Sequence, residues 1–328
     1  MKSYKNISLK EKVVVITGAS SGIGRAAAEA FALEGCNLVL AARGKEGLTD
    51  VVNLCKDLGA DALAVPTDVS AANEVKNLVE KALQFNGKID IWINNAGVMA
   101  TGKFEEMPIE TVDQVIKTNL LGYLHGAHSV LPIFKNQKYG ILLNNISIGG
   151  WMPAPYGTAY SASKFGARGM VECLQGEVSD YPDIHICALY PGIQRSTGNM
   201  HSAKYSGLDF DIPPLSFDPR VLAERMVEMA KDPQNSQYTD WSSVLFKNLY
   251  GLFPKSIINT GSALFRLLMK ISSSEPTDGN VLEPSQKPLK IYGETLLPVP
   301  SRKTKRIMLA GIGFVSVLLL MNSKKIRT

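Results

Sequence analysis

From residue 13 onward, short apolar runs alternate with longer stretches whose apolar positions recur at helical spacing, and this restricts the folds open to the chain. The runs at 13–16, 37–42, 62–65, 89–94, 140–146 and 184–190 are apolar on both faces, as buried strands are. The segments between them, at 22–34, 48–58, 74–85, 111–134 and 158–179, read as helices. Strands joined by helices pair in parallel, and a parallel sheet needs helices on both faces. The expected fold is therefore α/β with a doubly wound parallel sheet. Residues 193–217 read as a long loop, and Asp218-Pro219 opens a further helix to Lys231.

The first strand runs into Thr17-Gly18-Ala19-Ser20-Ser21-Gly22-Ile23-Gly24 and then a helix. Gly18 suits a tight turn, while Gly22 and Gly24 let a pyrophosphate and the sheet approach the backbone. The helix N-terminus offers unpaired N–H groups and a positive dipole end to a phosphate. Glycines also mark ordinary turns, but at the first strand-to-helix junction the cluster points to a nucleotide.

Other motifs follow in order: Asp68-Val69 after the third strand, Asn94-Asn95-Ala96-Gly97 at the end of the fourth, and Asn119 within a helix. Ser147 ends the fifth strand, Tyr160-Ser161-Ala162-Ser163-Lys164 lies on the next helix, and Pro191-Gly192 follows the sixth strand. Tyr160 and Lys164, four apart, share one helical face. A free phenol titrates near 10, and a neighbouring ammonium is expected to lower that value enough for proton transfer.

Together these motifs resemble the short-chain dehydrogenase/reductase family over residues 10–235, most of all a bacterial-type subgroup with an apolar C-terminal extension, which Asp278-Gly279-Asn280 also fits. The resemblance implies a Rossmann-like domain and an NAD(P)-dependent oxidoreductase acting on CH–OH groups. It implies a catalytic group of Asn119, Ser147, Tyr160 and Lys164, with Ser147 and Tyr160 also meeting the substrate. It further implies coenzyme contacts from Gly18, Ser20, Ser21, Gly22, Ile23, Gly24, Asp68, Val69, Asn95, Ala96 and Gly97, and from Tyr160, Lys164, Pro191, Gly192 and Ile193. The family places a threonine five residues after that proline; here Ser196 holds the position and Thr197 follows, so either hydroxyl can serve. At the end of the second strand the acidic residue of NAD-using relatives is Ala42, and Arg43 comes next. Loss of the carboxylate and gain of a guanidinium favour NADP(H) over NAD(H).

The net charge of +5 is a property of the tail. Residues 301–328 hold seven basic residues and no acid, which leaves 28 basic against 30 acidic residues in the body. Nucleic-acid binding is therefore not expected. Four scattered cysteines without a Cys-x-x-Cys pair, and no N-terminal apolar segment, suit a reducing, cytoplasmic location. His125 and His128 lack further metal ligands at suitable spacing.

The sequence divides into an arm (1–10), a catalytic domain (11–240), an apolar helical extension (241–271) and a Pro/Ser-rich, then basic, spacer (272–306). An uncharged run (307–323) and a basic end (324–328) follow. At 1.5 Å per residue the run's apolar core, 307–321, reaches roughly 22 Å, short of a bilayer core of about 30 Å, yet its basic flanks suit a membrane anchor. Expected partners are a lipophilic carbonyl or alcohol, membrane lipid at the C-terminal segment, and further copies in a homodimer or homotetramer. The rival reading is a nucleotide-binding scaffold at a membrane, without catalysis.

Overall fold

The computed structural model describes residues 8–207, 216–271, 275–285 and 289–293. In chain order the elements are β1 (Val13–Thr17), α1 (Gly22–Leu33), β2 (Asn37–Ala42), α2 (Lys45–Asp57), β3 (Ala62–Pro66), α3 (Ala72–Asn86) and β4 (Ile91–Asn94). Then come β5 (Ala100–Thr101), α4 (Ile109–Ile116), α5 (Gly122–Gln137), β6 (Gly140–Asn145), α6 (Thr158–Glu177) and β7 (Ile184–Leu189). The rest are α7 (Thr197–Met200), β8 (Ala203–Lys204), α8 (Pro219–Lys231), β9 (Ser236–Gln237), α9 (Trp241–Leu252) and α10 (Pro254–Ile271).

The main sheet has the order β3-β2-β1-β4-β6-β7-β9, and its pairs are parallel. Chain direction across the sheet reverses between β1 and β4, so a crevice opens beyond their C-terminal ends, where ligands bind in such folds. Phe31, Leu48, Val51 and Met226 fill one face of the sheet, and Leu78, Trp92, Tyr123 and Phe134 the other. The doubly wound parallel sheet expected from apolar alternation is thus the architecture found.

Three segments differ from the sequence reading. The helix expected over 111–134 is interrupted by a π-helical turn, Lys117–Leu121, between α4 and α5. The loop expected over 193–217 holds α7 and β8, which pairs with β5. The expected spacer does not stand away from the fold in its described parts: Val281 and Ile291 are buried in apolar clusters. Proline content signalled an extended backbone there, and an extended backbone can also lie in a groove. Among the described residues no helix is long and apolar enough to cross a membrane, and the 307–323 run lies outside them.

Candidate active site

The β1–α1 junction is built by close backbone approach. Gly18 adopts φ +67°, and a Cβ there would stand 2.7 Å from Ala96 Cα. A Cβ on Gly24 would fall 2.0 Å from Gly18 O, so only glycine fits. Thr17 Oγ1 donates to Ile93 O (3.1 Å) and accepts from the Asn95 and Ala96 amides (3.0 and 3.2 Å). Asn95 Nδ2 donates back to Thr17 O at 3.0 Å, and Asn145 Nδ2 donates to Asn95 Oδ1 at 2.9 Å. The ends of β1, β4 and β6 are thereby fixed to one another around the crevice.

Every residue expected to contact coenzyme, together with Ser147, lines one cavity of about 620 Å³. Asn119 stands behind it, fully buried in the π-helical turn. Its Nδ2 donates to Val98 O (2.8 Å) and Ser163 Oγ (3.2 Å), and its Oδ1 accepts from Val98 N (2.8 Å). The extra residue of the turn leaves a helix side chain to pair with the backbone beyond β4.

Ser147 has φ 110° and ψ 157°, a conformation nearly confined to glycine. Its Oγ accepts from Gly149 N at 3.1 Å, and its hydroxyl acts on the Tyr160 phenol to lower its pKa. Lys164 is 4% exposed, with Nζ 5.7 Å from the Tyr160 ring centre and 5.0 Å from that of Tyr123. Burial brings the Lys164 ammonium down to about 7. Burial also pushes the Tyr160 phenol up, and the Ser147 hydroxyl opposes that rise. The expectation that Lys164 lowers the phenol below its ordinary value is corrected here. The same enclosure that brings the pair together weakens the charge of the lysine.

Around the rest of the cavity, Asp68 Oδ1 accepts from Ser70 N at 2.9 Å and Val69 O bonds His125 Nδ1 at 2.9 Å. Asp240 Oδ2 accepts from Gly192 N at 2.7 Å, fixing the Pro191-Gly192 turn against the start of α9. Of the two candidate hydroxyls after that turn, Ser196 lines the cavity. Thr197 Oγ1 instead donates to Lys290 O at 2.9 Å.

Arg43 lines the cavity, but its guanidinium is not open as the sequence suggested. It donates to the carbonyls of Asn280, Val281, Leu282 and Glu283. Burial lowers its pKa, and the charges of Asp68 and Glu283 oppose the shift. Asn280, Pro284, Ser285 and Leu289 also line the cavity, from a stretch whose composition marked it as spacer. Of these only Asn280 carried a signal, in Asp278-Gly279-Asn280, and nothing local brought it to the cavity.

The cavity mouth is apolar. Met152, Pro153 and Pro155 come from the loop after Ser147, and Phe246, Ile257 and Phe265 come from α9 and α10. Trp151 of the same loop does not line the cavity; the Arg168 guanidinium carbon stands 3.4 Å from its ring centre. Burial raises Cys36, Cys55 and Cys187 to about 12, so none of the three is a thiolate nucleophile at neutral pH.

A dinucleotide fits the cradle. The α1 amides of Ile23 and Gly24 have no carbonyl partner among the described residues, and the glycines leave room for a pyrophosphate against them. Fit at the ribose 2′ position is partial, because Arg43 is already engaged.

Residues 12–206 match the short chain dehydrogenase family. An oxidoreductase of Staphylococcus aureus is 37% identical over 228 residues, spanning 69% of this chain and 94% of its own. One of Bacillus subtilis is 29% identical over 254 residues, 75% of this chain and 70% of its own. Among solved structures, an alcohol dehydrogenase of the archaeon Thermococcus sibiricus complexed with 5-hydroxy-NADP is 29% identical with a TM-score of 0.62, covering 70% of this chain and 96% of its own. An actinorhodin polyketide ketoreductase with NADPH is 26% identical with a TM-score of 0.63, covering 69% and 94%. The chain belongs to the short-chain dehydrogenase/reductase family and is an oxidoreductase acting on alcohol and carbonyl groups.

Proposed function

We propose that the protein interconverts a carbonyl and an alcohol on a lipophilic substrate with NADP(H), and that Tyr160 is the acid/base. The observation that carries this reading is the meeting of Ser147, Tyr160 and Lys164 with the glycine cradle in one cavity. A bound nicotinamide supplies the hydride. In the reductive direction Tyr160 gives its hydroxyl proton to the substrate oxygen, and its raised pKa keeps that proton available. Ser147 hydrogen-bonds the same oxygen and orients it. Lys164, poised near neutrality, returns a proton toward Tyr160 and holds the coenzyme ribose. Asn119 fixes Val98 behind Gly97 and keeps this wall in place. NADP(H) preference rests on Arg43 and on the absence of an acid at Ala42.

The apolar mouth supports a lipophilic substrate. The 241–271 hairpin that supplies half of it carries four basic residues and no acid. With the 307–321 run, this favours a cytoplasmic body held at a membrane by its C-terminal segment. Leu121, Leu124 and Phe165, exposed on the segments bearing Asn119 and Tyr160, favour a homodimer or homotetramer through that face. The central test is coenzyme absorbance with NADPH and NADH against carbonyl compounds of increasing chain length. Expected is faster NADPH oxidation that grows with apolar length. No turnover with any member would sink the assignment of these residues. Cell fractionation of the full chain tests the membrane part, which fails if the protein stays soluble at low ionic strength.

A further inference from the structure

A guanidinium carries five N–H groups, four of them on its two terminal nitrogens. In Arg43, Nη1 donates to Val281 O (3.1 Å) and Leu282 O (3.2 Å), while Nη2 donates to Glu283 O (3.4 Å) and Asn280 O. Each terminal nitrogen therefore already serves two carbonyls, and among the described residues only Nε–H has no acceptor. A phosphate held bidentately needs two N–H groups. It cannot gain two from Arg43 without displacing at least one of these carbonyls.

We propose that the backbone carbonyls of residues 280–283 are a second determinant of coenzyme choice, a collar that competes with a ribose 2′-phosphate for Arg43. The inference rests on the reading of Arg43 as the phosphate partner. A phosphate is the stronger acceptor because it carries a full negative charge, which the carbonyls lack, so it wins the exchange at a cost set by the carbonyls it frees. NAD(H) has no such phosphate and leaves the collar whole. The collar thus narrows the gap between the two coenzymes below what an unencumbered arginine would give.

The collar is held by contacts that do not involve Arg43. Val281 is fully buried among Val98, Ala100, Met107, Ala203 and Tyr205. Asn280 N donates to His201 O at 2.7 Å, across the tight turn at Gly279. Gly279 has φ +54°, and a Cβ there would stand 2.3 Å from His201 O, so Gly279→Ala must shift the turn that carries the collar. This variant moves the carbonyls while leaving Arg43 itself and the glycines at 18, 22 and 24 unaltered.

The experiment is calorimetric binding of adenosine 2′,5′-bisphosphate and of 5′-AMP, which differ only in the 2′-phosphate, to the full chain. Gly279→Ala should tighten the bisphosphate about ten-fold or more, as expected for one hydrogen bond to a charged group no longer broken, and leave 5′-AMP within about two-fold. If Gly279→Ala does not fold, Val281→Ala loosens the same seat and should act in the same direction. Unchanged or weaker bisphosphate binding in the folded variant overturns the collar. Equal binding of both ligands by the native chain, unaltered by Arg43→Ala, overturns instead the reading of Arg43 on which it rests.

Discussion

The carbonyl of Lys290 accepts from the amide of Gly22 at 2.9 Å, joining the end of the described chain to the first turn of its first helix. Gly22 is one of the amides that α1 cannot satisfy internally. Arg25 Nη1 adds a bond to Leu289 O at 2.9 Å, and Ile291 is buried in the main core cluster that includes residues of α1 and α8. Residues 289–291 are therefore a part of the wall beside the glycine cradle, held in place by an apolar side chain.

Ile291→Ala should cost about 2–4 kcal/mol of stability, the usual range for emptying a buried aliphatic site. Urea unfolding would show a lower midpoint with an unchanged slope, and 5′-AMP binding should weaken as the Lys290 carbonyl loses its seat. A native midpoint would mean that residue 291 does not occupy the core.

Tyr160→Phe should lower turnover at least about 100-fold, the small end of what a positioned acid or base contributes. Coenzyme affinity should hold within experimental error, since only the hydroxyl is lost. Lys164→Ala should lose as much turnover and also bind coenzyme less tightly. Steady-state rates and fluorescence titration separate the two, and near-normal turnover of Tyr160→Phe would end the acid/base assignment.

How much of this was legible depended on how local the signal was. The sheet followed from apolar runs such as 37–42, and the cradle from glycines within eight residues of one another. Ser147, Tyr160 and Lys164 follow from motif spacing because a strand end and one helix bring them together. The collar could not be read, because the Arg43–Asn280 contact joins positions far apart in sequence, and carbonyl acceptors are the same at every residue. The π-helical turn was also hidden, since one inserted residue at 117–121 barely alters a helical pattern. Spacing showed that Tyr160 and Lys164 are neighbours, but not that burial governs the charge of both.

The lowered pKa of Lys164 has a thermodynamic sign. Its value falls from 10.5 to about 7 on folding, so between those values the unfolded chain holds more protons. Stability then rises with pH across that window, and the cost of burying the ammonium is complete below about 7. Lys164→Met should therefore melt higher than the native protein at pH 6, by roughly 3–8 °C, while losing activity. The gain should shrink as pH approaches 10.5. Melting curves of both proteins without coenzyme test this, and an equal gain at both ends of the range would show that the lysine is not shifted.

Ser147 allows backbone and hydroxyl to be separated. Its φ of 110° with ψ of 157° lies where a Cβ is disfavoured, at a cost on the order of 1–3 kcal/mol. Glycine relieves that strain, though its freer unfolded chain returns part of the gain. Alanine keeps the strain and removes the oxygen. Both variants lose the hydroxyl that lowers the Tyr160 pKa and the acceptor for Gly149 N. Ser147→Gly should thus be more stable than Ser147→Ala, by about 1 kcal/mol after that offset. Turnover should fall in both by a similar factor, about 100-fold, since each lacks the same donor to the substrate oxygen. Paired unfolding curves and steady-state rates decide the matter. Equal stability would remove the backbone argument. Native turnover in either variant would remove Ser147 from the chemistry and leave its strained conformation without a functional reason.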